Sequence, residues 1–232
     1  MGLVQFGQNM ALDRLPDGEL LEVVKHASEW NIDLEIATVG ISPDLLHNQI
    51  LFAKRFGIIL VKTTPEHPLG FIPMQTEIAR CLRSVVDELE NGEVRLAIDN
   101  SSIPALDLNA VLESIRSPWM GAAVDTANPM ALLQGWQVSA RVLAHRTLCL
   151  HIKDFVLQPG VHGMGFTVKG CPVGKGQLNV PWLVDAFAAL RVAPSVLLES
   201  WTPEQESLER TVALESEWAR QGVEFLRRFI PD

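Results

Sequence analysis

The sequence predicts an α/β fold, a (β/α)8 TIM barrel, on three observations. Short apolar runs of strand length alternate with amphipathic helical runs from end to end, the pattern of a parallel sheet covered by helices. Four of those runs, at 94–99, 121–125, 148–151 and 196–199, end on a residue able to ligate a metal: Asp99, Asp125, His151 and Glu199. These end residues lie 26, 26 and 48 apart, so one βα period recurs with one strand skipped. A closed barrel gathers such strand ends at its C-terminal mouth, where its chemistry is built. The rival, an open doubly wound sheet, requires a Gly-rich phosphate turn after the first strand, and Gly7-Gln8-Asn9 is no such turn.

In chain order, strands are expected at 3–6, 33–36, 58–62, 94–99, 121–125, 148–151, near 166–168 and at 196–199, which makes eight. Helical periodicity falls at 19–30, 43–56, 74–89, 106–115, 131–145, 180–190 and 204–229. Ser42-Pro43 and Asn179-Val180-Pro181 mark helix starts, because proline in a first turn forfeits an N–H that has no helical partner. Two long irregular stretches, 63–73 and 155–176, are expected over the barrel mouth as binding loops. The 232 residues suit one barrel domain spanning 1–232.

Composition narrows the function. A formal charge of −9 and a pI near 5.2 exclude nucleic acid as the main partner, because phosphate binding calls for a basic stripe. No uncharged apolar run is long enough to span a membrane, and the first residues lack the basic region and apolar stretch of a signal peptide. The expectation is a cytoplasmic protein acting on a small polar molecule, with a homodimer compatible with a barrel of this size. Cys81, Cys149 and Cys171 are odd in number and lack CxxC spacing, which argues against a zinc ribbon or a disulfide framework.

Taken singly, Asp99 reads equally as a turn cap, Asp125 as a helix cap before Pro129, and His151 as a core histidine. Taken together they point to a cation, since three buried carboxylates without one are costly. Two aspartates, a glutamate and one imidazole suit hard or borderline divalent ions, with Mn²⁺ the first choice and Mg²⁺, Co²⁺ or Zn²⁺ the alternatives.

The segments Leu96-Ala97-Ile98-Asp99-Asn100, Val124-Asp125-Thr126-Ala127-Asn128, His151-Ile152-Lys153-Asp154 and Pro172-Val173-Gly174-Lys175-Gly176 resemble the xylose isomerase-like TIM barrel superfamily of sugar phosphate isomerases and epimerases. Ile32-Asp33-Leu34-Glu35-Ile36 resembles that family's second strand. The resemblance implies metal ligands at Asp99, Asp125, His151 and Glu199. Two departures stand out. Asp99 occupies a position where the family usually has Glu, and Lys175 lies between glycines where an acidic residue is common.

The activity this implies is isomerisation or epimerisation of a ketose or related sugar derivative through an enediolate. Asp99 and Glu199 would exchange protons, with Lys153 or Asp154 orienting the site. Metal-dependent lyase or decarboxylase action on a sugar-derived keto acid is the alternative, since it uses the same enediolate. Candidate substrate contacts are Asn128, His162, Lys175, Lys62 and Trp201. Lys175 would add positive charge for an anionic substrate, and Trp201 an apolar wall. For Lys62 and Glu35, both at strand ends, a salt bridge inside the barrel is the simpler reading. His67 and His162 read as surface loop residues first.

Overall fold

A computed structural model describes residues 2–67, 69–188 and 193–230. Its strands are β1 (Leu3–Phe6), β2 (Asp33–Ala37), β3 (Leu60–Thr63), β4 (Arg95–Asp99), β5 (Met120–Asp125), β6 (Thr147–Ile152), β7 (Asp154–Pro159), β8 (Phe166–Cys171) and β9 (Ser195–Leu198). Seven of them pair in parallel in the order β1-β2-β3-β4-β5-β6-β9. β9 returns against β1 without a hydrogen-bonded ladder, so the sheet curls into a nearly closed barrel.

The strand expected near 166–168 is not a barrel strand. β8 pairs antiparallel with β7 in a separate hairpin, from Asp154 opposite Cys171 to Pro159 opposite Phe166, within the stretch expected to be irregular. The physical reason lies in its exposure pattern. A parallel barrel strand is buried on both faces, as the six buried residues of β5 are, whereas β8 is largely exposed. Gly160-Val161-His162-Gly163-Met164-Gly165 forms the tip, with Gly163 and Gly165 at φ of 74° and 70°. Among the described residues the barrel therefore has seven strands, with β9 beside β6.

The helices are α1 (Asp17–Glu29), α2 (Pro43–Phe56), α3 (Gln75–Arg83), α4 (Val86–Gly92), α5 (Ala105–Ile115), α6 (Trp136–Leu143), α7 (Val180–Ala188) and α8 (Leu208–Leu226). α2 is bounded as its sequence signals: Ser42 Oγ accepts the Leu45 N–H at 3.4 Å, Pro43 occupies the first turn, and Gly57 ends the helix at φ 67°. The run expected at 74–89 is two helices, because the chain turns at Ser84, whose hydroxyl donates back to the Cys81 carbonyl at 2.7 Å. α6 is shorter than 131–145, since a 3₁₀ turn over Asn128–Leu132 precedes it and Gly135 stands at its start. Of the helix expected at 180–190, Ala189 and Leu190 lie outside the described residues. Among the described residues no helix is long and apolar enough to cross a membrane.

The main core lies between the strands' outer faces and the helices, with Leu46, Ile50, Ile78, Leu82, Leu96, Ile98, Leu108 and Leu112 fully buried. Inside the barrel sits a second, small cluster of Leu60, Ala97, Ala123 and Cys149, joined by Leu197.

Candidate active site

The site grows out of that inner cluster by the two-residue period of a strand. Two positions beyond Leu60, Ala97, Ala123, Cys149 and Leu197 stand Lys62, Asp99, Asp125, His151 and Glu199. One apolar layer thus carries one polar layer above it, at the C-terminal ends of five strands. The mouth opens as a cavity of about 680 Å³ whose lining includes Lys62, Asp99, Asn128, His151 and Glu199.

Asp125, His151 and Glu199 bring one potential ligand atom each to within 4.8 Å of one another. Asp125 Oδ1 accepts the N–H groups of Ala127 and Asn128 at 2.7 and 2.8 Å, which turns Oδ2 toward the centre. That oxygen receives no directed hydrogen bond, and its charge partner is the Lys153 ammonium at 3.0 Å. His151 Nδ1 lies 2.8 Å from Glu199 Oε2, and its buried Nε2 has no partner. Lys153 Nζ also reaches Glu199 Oε1 at 2.9 Å and Asn128 Oδ1 at 3.2 Å. An ammonium already seated between two of the carboxylates, together with partnerless buried nitrogen and oxygen atoms, is the signature of a place built for positive charge. Two oxygen donors and an imidazole fit a divalent metal ion there.

Asp99, the fourth ligand implied by resemblance, stands outside this group. Its carboxylate turns instead to Lys62 Nζ at 2.5 Å and accepts the Ser101 N–H at 2.7 Å. An aspartate is one methylene shorter than the family's glutamate, so the carboxylate stays against β3.

The charges are strongly coupled. Burial disfavours a charged His151, but contacts with Cys149 and Glu199 outweigh it and push the imidazole up to about 10. Burial would likewise raise Glu199, yet the His151 hydrogen bond and the Lys153 charge hold it down at about 2. Lys153 stays cationic despite burial because Asp125 and Glu199 flank it. Beneath them Glu35, fully buried, is raised by desolvation; Gln5 Nε2 donates to its Oε2 at 2.8 Å, while its Oε1 has no partner.

Trp201 stacks near the site, its ring centre 5.3 Å from Lys153 Nζ. His162 and Lys175 do not line the cavity. His162 is exposed at the hairpin tip with φ 60°, and Lys175 is exposed on the loop after β8. Both residues belong to the stretch expected over the barrel mouth, and the pairing of β7 with β8 makes most of that stretch a ribbon. His67 stacks on Phe71 with ring centres 4.4 Å apart.

Asp154 has a different task from orienting substrate. Its two oxygens accept the N–H groups of Phe155, Gly174, Gly176 and Leu178 at 2.8 to 3.0 Å, so one buried carboxylate ties the hairpin to the loop that follows it. This explains the Gly-Lys-Gly sequence. A Cβ on Gly176 would meet Asp154 Oδ1 at 2.2 Å, and one on Gly174, which stands at φ 89°, would meet the Phe225 ring at 2.5 Å.

Sequence reasoning missed Asn100 and Thr126. Asn100 Oδ1 accepts the Asp125 N–H at 2.9 Å, and Thr126 Oγ1 exchanges hydrogen bonds with the Lys153 backbone at 2.7 and 2.8 Å. Both directly follow a strand-end aspartate, and that adjacency was the available signal.

A parallel barrel with a carboxylate and histidine cluster at its C-terminal mouth defines the class of protein, and the comparisons give its family. The chain belongs to the xylose isomerase-like TIM barrel family, whose model matches residues 21–229. It is 29% identical over 226 residues to a 3-oxo-isoapionate decarboxylase of Pectobacterium atrosepticum, covering 97% of this chain and 82% of that protein. In structure it resembles a D-psicose 3-epimerase solved in the presence of D-fructose, with a TM-score of 0.76 at 12% identity over 100% of this chain and 90% of that one. It also resembles a xylose isomerase-like TIM barrel protein from Mycobacterium smegmatis in complex with magnesium, with a TM-score of 0.67 at 14% identity over 93% of this chain and 81% of that one.

Proposed function

We propose that this chain is a divalent-metal-dependent lyase that removes carbon dioxide from a sugar-derived 3-oxo acid. The observation that carries the reading is the Lys62–Asp99 ion pair at 2.5 Å. An isomerase or epimerase of this kind needs carboxylates free to take a proton from carbon, and the Asp99 carboxylate is instead occupied by the Lys62 ammonium and the Ser101 N–H. Decarboxylation needs no such base. The electrons of the breaking carbon–carbon bond form the enolate, and the site has only to stabilise it and return one proton. The similarity to a 3-oxo-isoapionate decarboxylase supports the same choice, since the name of that substrate places a ketone two carbons from the carboxylate.

Asp125, His151 and Glu199 would hold the metal, with Mn²⁺ or Mg²⁺ suited to these donors and magnesium present in the Mycobacterium smegmatis relative. Bound there, the ion supplies Lewis-acid polarisation of the substrate carbonyl. Lys153 holds the Asp125 and Glu199 carboxylates apart and in place, Asn128 fixes Lys153, and Trp201 shields that ammonium from water.

The test is release of carbon dioxide from 3-oxo-isoapionate by metal-stripped protein reloaded with Mn²⁺ or Mg²⁺. Turnover that disappears with chelator is the expected result. A ketose isomerase or epimerase is the second reading, because Asp99 and Glu199 both line the cavity as a two-carboxylate mechanism requires. Interconversion of D-fructose and D-psicose with no carbon dioxide released would select it and reject the lyase.

A further inference from the structure

We infer that Lys62 is the catalytic proton donor of this site, delivering a proton to the substrate carbon that has lost carbon dioxide. The inference rests on the decarboxylase reading above and adds a residue and a direction of attack to it.

Three observations carry it. Among the described residues lining the cavity Lys62 is the only lysine or arginine, and its side chain is 15% exposed, so its ammonium faces the space a substrate would fill. Lys153, by contrast, is 4% exposed and engaged by Asp125, Glu199 and Asn128, so it has no access to that space. Second, Lys62 stands on β3 while His151 and Glu199 stand on β6 and after β9. Around the barrel, β4, β5 and β6 separate β3 from β9 on one side, and β1 and β2 on the other. Lys62 therefore looks across the axis at His151 and Glu199, two of the three proposed metal ligands, and a substrate between them would have its carbonyl on one side and an ammonium on the other. Third, Asp99, 1% exposed, has Lys62 as its ion-pair partner and is steered by the Ser101 N–H. That contact fixes the position of the ammonium while substrate is absent.

The chemistry balances. In a 3-oxo acid the bond between the carboxylate carbon and C2 breaks, and that carbon leaves as carbon dioxide. Its electron pair remains on the substrate as an enolate spanning C2 and C3. Lys62 Nζ gives a proton to C2, which restores the C3 carbonyl, and the neutral amine regains its proton from water. The Lys62–Asp99 pair thus acts where the family's longer Glu would bring a carboxylate nearer the metal.

The experiment uses the full-length protein loaded with Mn²⁺ and 3-oxo-isoapionate as substrate, comparing the parent with Lys62→Met, Lys62→Arg and the double variant Lys62→Met/Asp99→Asn. The double variant removes the carboxylate that Lys62→Met would strand, and so guards against loss of folding. All three are expected to lower kcat by about 10²- to 10⁴-fold, the usual contribution of a general acid, with KM changed far less. Arginine keeps the charge but does not release its proton, so it should not rescue. In D₂O the parent should place deuterium at C2 with one handedness, and the variants should give both. Lys62→Arg turnover within tenfold of the parent would make Lys62 a charge anchor and overturn the inference. Normal turnover and handedness in the double variant would overturn it too, with the decarboxylase reading intact. A parent that releases no carbon dioxide overturns both.

Discussion

At the scale of single residues, the site is governed by which charges share a space too small to solvate them. In the metal-free protein His151 binds its proton far more tightly when folded, at about 10, than an ordinary histidine near 6.5. A raised pKa in the folded state means that its stabilisation is complete below 6.5 and drains away as pH climbs toward 10. Thermal melts of metal-free protein between pH 7 and 9.5 should therefore show Tm falling with pH, and His151→Gln should flatten that slope. Loading with metal reverses the logic, because a ligand imidazole must be neutral. His151→Ala should then weaken Mn²⁺ binding strongly in a calorimetric titration, and unchanged affinity would remove His151 from the ligand set. Glu199→Gln should nearly abolish turnover and, because it removes the carboxylate paired with His151 and Lys153, lower the Tm of the metal-free protein; near-normal activity would sink its role.

Among elements, the hairpin of β7 and β8 is what most distinguishes this chain from a plain repeat of strand and helix. It leaves β6 one residue after His151-Ile152 and is pinned at its base by Asp154, which accepts four backbone N–H groups. Asp154→Asn keeps the shape but exchanges one acceptor oxygen for a donor facing N–H groups. It should cost roughly 1–3 kcal/mol and make the hairpin a preferred site of proteolysis. Gly176→Ala should have a similar effect for a steric reason, since its Cβ would meet Asp154 and the Phe155 carbonyl at 2.2 and 2.4 Å. Limited proteolysis of these variants, with cleavage mapped to 154–178, checks both. The hairpin also touches the site, because Gly170 lies against the Trp201 backbone that carries the ring beside Lys153. The two-residue alternation made strand-end ligands legible from sequence, but it could not reveal this ribbon. Phe166–Cys171 has the composition of a strand, and its partner is chosen by folding back on β7 instead of by period.

For the whole molecule, metal and fold should be linked. An ion bound only by the folded barrel adds about 2.7 kcal/mol at a hundredfold excess over Kd, which in a chain of this size raises Tm by roughly 5–10 °C. A differential melt with and without Mn²⁺ measures it, and His151→Ala should abolish the gain. The architecture that makes this possible was readable before any coordinates: parallel strands at a fixed period, apolar below and polar at their ends, announce a barrel with its chemistry at one mouth. Asp125, His151 and Glu199 stand together at that mouth because each is the last inward position of its strand. The same periodicity grouped Asp99 with them and left Lys62 as one candidate contact among several. Periodicity reports which way a side chain points along its own strand and nothing of its neighbour across the barrel. Folding brought Lys62 within reach of Asp99, took that carboxylate out of the ligand cluster, and replaced an eighth strand by a hairpin. Such pairings depend on distances between strands far apart in the chain, set by side-chain length and packing.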